Sequence, residues 1–320
     1  LNALSFEQRE SINEEIHGIN VSQIYFDKVK EIEETPELLN SKLRKLQIEL
    51  KKLQPKSFAY DRCQQLYGDD TTNTTTATTD ENVVSNKDGR KSYINTNEFR
   101  IVFLRCELFD TTKAARRFVN YVELMYELYG DVGIQRRIVL DDLSTEERRI
   151  LELGYTQILP GRDRAGRKIM VHIAFNSTNE YTAKSRTRVL FYVQMSVLND
   201  IETQRKGALF IAWYQNVNIF DDFIERGKTF SSGKSSPYRK GAIHICIPEG
   251  LEDKINSGGG GLDISSTKSS NSSQSATPVN VIKSMVAVSI GSKMRSKLRI
   301  HTGSALECLY ALQSFGIPSN

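Results

Sequence analysis

Acidic residues are absent from a long C-terminal stretch of this chain. No Asp or Glu stands between Asp263 and Glu307, although Lys293, Arg295, Lys297 and Arg299 occupy alternate positions inside it. Nothing close in sequence neutralises them, and in a strand the alternation sets all four on one face. Cysteine is sparse as well. Cys63, Cys106, Cys246 and Cys308 lie far apart with no CxxC pair, which argues against a clustered zinc site and against a disulfide framework. They read as reduced cytosolic thiols, two of them buried in apolar surroundings. No apolar run reaches the ~18 residues of a membrane span, and no apolar leader is read at the start. The sequence begins at Leu1 rather than Met, so it is expected to be a segment of something longer. GxSxG, HExxH and GxGxxG are all missing. The expectation is therefore a non-enzyme without metal or cofactor, cytoplasmic in location.

What is present organises the 320 residues into globular stretches separated by low-complexity ones. Residues 1–70 read as amphipathic helices, with a cap and helix start at Thr35-Pro36-Glu37. After it Leu39, Leu43, Leu46, Leu50 and Leu53 recur at alternating spacings of four and three, giving one apolar seam. Docking of that seam on its own protein is favoured over a coiled coil, although it also offers a surface for a protein partner. Residues 71–92 are Thr- and Asn-rich without periodicity and are expected to be a disordered linker. Residues 93–150 form a helical subdomain, with two short helices between Asn97 and Tyr129 capped in the middle by Asp110. Residues 151–320 alternate strand and helix patterns: a hairpin around 162–166, one helix over 183–204, and nearly continuous apolar strands in GALFIAWYQN and GAIHICI. A Ser- and Gly-rich insertion, 255–278, interrupts them. The pattern is α/β, with an N-terminal helical region followed by a mostly parallel sheet flanked by helices.

Five strings carry a resemblance. FLRCELFDTTKAARRFVNY (103–121) is similar to a helical signature FLRAR-x-FD-x-x-x-A, and RDRAGRKIMV (162–171) to a hairpin D-x-x-GRPV. KGALFIAW (206–213), SPYRKGAIHICIP (236–248) and SKLRIHTGS (296–304) resemble the strands that follow. In this order they resemble the CRAL-TRIO lipid-binding family, which includes phosphatidylinositol and α-tocopherol transfer proteins. Glu107 stands where that family has a second Arg, and Cys246-Ile247-Pro248 replaces its Asn-Ala-Pro. The resemblance implies an apolar lipid cavity lined by Ile169, Val171, Phe191, Met195, Phe210 and Ile211. It implies a gate helix of Val281, Ile282, Met285, Val286, Val288 and Ile290. It places head-group cations at Arg239 and Lys297, with Lys293 nearby and Arg105 in reach unless Glu107 pairs with it.

The function so implied is binding or transfer of a phospholipid or other small hydrophobic ligand, with transient docking of a monomer on anionic membrane. The alternative is a membrane-targeting or protein-docking adaptor with an occluded cavity. A net charge of +4 is too small to argue for nucleic acid. Other features read blandly. His244 and His301 have no carboxylate at triad or metal spacing and are expected as packed strand residues. Asp141-Asp142 and Asp221-Asp222 diverge along the chain and suit helix caps better than an acid/base pair. GKTFSSGKSS (227–236) imitates a phosphate loop with one residue too many and a proline just after it.

Overall fold

The computed structural model describes residues 5–18, 32–68, 92–174, 181–214, 235–248 and 295–318. The expected linker 71–92 (apart from Ser92), the insertion 255–278, the gate segment 281–290 with Lys293, and Asp221-Asp222 lie outside the described residues. None of the described helices is long and apolar enough to cross a membrane.

The helices start where short polar side chains can accept the unpaired amide protons of a first turn. Ser5 and Gln8 form a reciprocal cap for α1, Phe6–His17. Thr35 accepts from Leu38 N at 3.2 Å to open α2, Pro36–Leu53, and Ser57 opens α3, Phe58–Tyr67. The seam of α2 faces inward: Leu46 and Leu50 are fully buried, with Leu39, Leu43 and Leu53 packed against the same core. The seam is thus docked on its own protein. Two further helices follow, α4, Asn97–Cys106, and α5, Thr111–Tyr129, with Asp110 accepting from Lys113 N at 3.0 Å. The second is longer than expected, because Phe118, Val119, Val122 and Met125 keep one buried stripe going for 19 residues. Between them Leu108 and Phe109 take positive φ, 50° and 61°, and Lys42 Nζ of α2 donates to Phe109 O at 2.8 Å across that turn. Phe99, Phe103, Phe118 and Tyr121 stack edge to face in the centre and share one core with Leu46, Leu50 and Tyr60. The short α6, Asp131–Gln135, and α7, Thr145–Glu152, complete this layer. Ser144 and Glu147 cap α7; Asp142 instead accepts from Val139 N and pairs with Arg136, so the adjacent aspartates do not cap it.

The sheet is five-stranded, in the order β1 Thr156–Arg162, β2 Lys168–Ala174, β3 Ala208–Tyr214, β4 Lys240–Pro248, β5 Leu298–Gly303. The first two strands are antiparallel around the expected turn, and every later pairing is parallel. The described residues thus form a mixed α/β protein with a mostly parallel sheet flanked by helices. The helix expected over 183–204 is two, α8 Ala183–Met195 and α9 Ile201–Lys206, because Ser196 Oγ donates back to Val193 O and the chain turns at extended Asp200.

Side chains alternate across a strand, so each face of the sheet has its own neighbours. Ile169, Leu209, Ile211, Ala242 and Cys246 pack against Cys308 and Leu312 of α10, Ala305–Ser314, and against Ile317. Met170, Ala208 and Phe210 turn the other way and join the helical core.

Candidate functional site: a cationic edge capped by carboxylates

Parallel pairing of β4 with β5, Ile243 opposite Leu298, sets Lys297 level with Ala242, and its side chain reaches back along β4 to Lys240 O, towards Arg239. Arg239 precedes β4 and Lys297 precedes β5. Lys297 is only 5% exposed, its ammonium donates to Lys240 O at 3.2 Å, and it forms an ion pair with Glu15 of α1. Arg239 Nε lies 3.6 Å from the other oxygen of the same carboxylate. From the β1–β2 turn comes Arg167, buried with Asp163 (Nε to Oδ2 2.7 Å) and donating to the backbone carbonyl of Glu15. Two cations expected from sequence thus meet at one carboxylate. Close approach here depends on glycine: a Cβ at Gly207, whose φ is +83°, would stand 2.5 Å from Arg239 O.

Arg105 belongs to the next link of the same edge. Its Nη2 lies 2.6 Å from Glu34 Oε2, and Arg205 Nε lies 2.9 Å from Glu34 Oε1. Arg239 Nη2 donates to Arg205 O at 2.9 Å and so connects this group to the first. Burial opposes ionisation of Glu34, but the hydrogen bonds from Arg105 and Arg205 prevail and hold its carboxyl at about 2. The local pairing expected between Arg105 and Glu107 does not form. Glu107 ends α4 and pairs with Arg117 of α5 across the helix hairpin, at 2.5 Å.

Three expectations are corrected by this geometry. The alternating cations that are described, Arg295, Lys297 and Arg299, do not share a strand face, because β5 begins only at Leu298: Arg295 is exposed before it, Lys297 is buried beneath α1, and Arg299 donates to Ser296 O and Leu298 O. The missing counter-charge is supplied by Glu15, from the far end of the chain. The six residues expected around one cavity divide between two sides of the sheet. Ile169, Val171 and Ile211 face α10, whereas Phe210 and Met195 belong with the helical core, and Phe191 is fully buried on α8. Successive strand residues such as Phe210 and Ile211 cannot line one face.

Two features were missed in sequence. Lys240, beside Arg239, points to the opposite face, where its ammonium sits 5.0 Å from the ring centre of Phe210. Burial, then the charge of Arg117, lowers its pKa to about 8. Strand alternation was the available signal. On the α10 side His244 Nδ1 and His301 Nε2 are 2.9 Å apart with their rings stacked, and Phe315 packs edge-on to both. Burial, followed by His301 and Arg299, pushes His244 down to about 3. His17 of α1 stacks on the same Phe315 at 4.8 Å. No local signal joins these residues; only the β4–β5 register does. All four cysteines are buried and free, where two were expected to be.

No family model matches the chain, and no curated protein matches it in sequence. Among solved structures, the crystal structure of Sfh5 aligns over 84% of this chain and 82% of its own, at 10% identity and a TM-score of 0.39. So loose an overlap carries no argument about ligand or activity.

Proposed function

We propose that this chain is a lipid-binding protein of the CRAL-TRIO type, which holds a phospholipid or similar amphiphile by its apolar part and reads an anionic head group with Arg239 and Lys297. The observation that carries the reading is the convergence of those two cations on a single carboxylate, an anion-holding geometry that already contains an anion. The five resembling strings add support, since they fall in family order on the α4–α5 turn, the β1–β2 hairpin, β3, β4 and β5. The apolar side must match what a bilayer provides, about 0.8 kcal/mol per buried CH₂. In this proposal Arg295, exposed ahead of β5, approaches an anionic leaflet and adds at most about 1 kcal/mol before screening. The protein is read as a non-enzyme working in the cytoplasm and visiting membranes peripherally. The test is to incubate the purified chain with mixed liposomes, re-isolate it and extract it. Lipid found by mass spectrometry, with transfer between donor and acceptor vesicles, is expected; neither being found refutes the proposal.

A second reading, a protein-docking module, is favoured by Leu306 and Tyr310, which lie one helical turn apart on α10 and are 58% and 60% exposed. A chain that exchanges lipid readily and binds no partner through α10 counts against it.

A further inference from the structure

The outer face of α2 carries a pattern that neither the core nor the cationic edge uses. Ile48 stands two residues from Leu46 and two from Leu50, so it points directly away from the docked seam. It is 56% exposed. Ser41 and Pro55, a heptad to either side, are exposed too and mark the same outward line. Around Ile48, at the spacings of three and four that make helix neighbours, stand Arg44, Lys45, Lys51 and Lys52, all exposed. Glu49 engages Lys52 at 2.6 Å, whereas Arg44, Lys45 and Lys51 make no ion pair with another side chain among the described residues. Glu37, the other exposed acid of this helix, lies in its first turn. Lys51 and Lys52 also suit the negative end of a helix dipole; Arg44 and Lys45 sit mid-helix, where that reason does not apply. A β-branched apolar residue in the open lowers helix propensity slightly, so nothing in the fold calls for Ile48.

We propose that this face of α2 docks on an anionic lipid bilayer, with Arg44, Lys45, Lys51 and Lys52 at the phosphates and Ile48 pressed between them towards the acyl chains. The charge sets the sign of the partner, and the apolar centre sets its kind. Lys and Arg stems lie along an interface and keep their heads at the phosphates while the shorter Ile48 enters. A groove on an acidic protein reads apolar anchors repeating at three and four residues, and those positions are cations here. A nucleic acid takes the cations but gives an aliphatic side chain at their centre nothing to stack on. The inference concerns α2 alone and does not depend on the head-group reading of the edge before β4 and β5.

The test is flotation of the full chain with phosphatidylcholine vesicles, containing or lacking phosphatidylserine, at low and at higher salt. The variants are R44Q/K45Q/K51Q, Ile48→Ser, and R9Q/R149Q/K184Q, which removes the same charge from exposed positions on α1, α7 and α8. The parent should float only with phosphatidylserine, and less so at higher salt. R44Q/K45Q/K51Q should lose roughly ten- to a hundredfold in affinity and Ile48→Ser roughly fivefold, with the second triple variant close to the parent. The fluorescence that Ile48→Trp adds should shift to the blue on phosphatidylserine vesicles. Equal losses in the two triple variants overturn the face in favour of net charge alone. Ile48→Ser floating as the parent does, with Ile48→Trp unshifted, overturns the bilayer in favour of an acidic polymer, for which polyglutamate is the probe. A parent that does not float with phosphatidylserine overturns docking outright. All the substituted positions are exposed and lie away from Arg239 and Lys297. Lipid extracted from the re-isolated proteins therefore reports separately on the head-group reading.

Discussion

Replacing Lys297 separates the cationic edge from an ordinary basic surface. A solvated cation in a basic run changes stability by within about 0.5 kcal/mol when replaced. Lys297 is instead 5% exposed, paired with Glu15 and donating to Lys240 O. Lys297→Glu sets a second carboxylate against Glu15 in that space. Stranding one member of a buried pair costs about 3–5 kcal/mol. The Glu15 side chain retains 22% exposure and keeps Arg239 nearby, which relieves part of the strain. The expected loss is about 2–4 kcal/mol. Lys297→Met keeps the packed stem without the repulsion and should lose about 1–2 kcal/mol. Urea denaturation at neutral pH reads both, with an unchanged slope required for comparison. The exchanged pair, Glu15→Lys with Lys297→Glu, should regain a large part of the loss. A Lys297→Glu protein as stable as the parent would refute the pairing and the site built on it.

Three other outcomes follow from the same geometry. Glu34 is held at about 2 against an ordinary value of 4.5, so its contribution is complete above pH 4.5 and disappears as pH falls towards 2; Glu34→Gln should cost up to about 3 kcal/mol near neutrality and flatten that part of the acid melting profile. His244 stays neutral when folded, down to about 3, whereas the unfolded chain takes up its proton near 6.5. Stability should therefore fall as pH drops below 6.5, and His244→Gln should remove most of that early slope, a result that an unchanged melting-temperature profile would contradict. Leu50→Ala should cost about 2–5 kcal/mol in urea denaturation through the cavity it leaves between α2 and α5; a loss far below 1 kcal/mol would mean that the seam is not docked.

Local signals in the sequence were sufficient for most of the elements. Caps at Thr35 and Asp110, the α2 seam and the apolar runs of β3 and β4 each follow from short-range rules, and each element stands where those rules put it. The break between α8 and α9 was not legible, since Val197 and Leu198 are apolar and buried and continue the helical pattern through a turn. The site was legible in half. Arg239 and Lys297 could be named as a pair by resemblance, but the partner that neutralises them comes from α1, and only tertiary folding makes Glu15 their neighbour. The same holds for Arg105, which takes Glu34 rather than the adjacent Glu107. The cavity residues were assigned by type, and strand alternation, had it been applied to Phe210 and Ile211, already separates them.

The most direct measurement is native mass spectrometry of the full chain after incubation with mixed liposomes and re-isolation without detergent. The expected spectrum contains the polypeptide carrying one amphiphile with an anionic head group, and the adduct is lost in Arg239→Gln. The bare polypeptide mass alone, from a preparation that remains folded, contradicts the proposal.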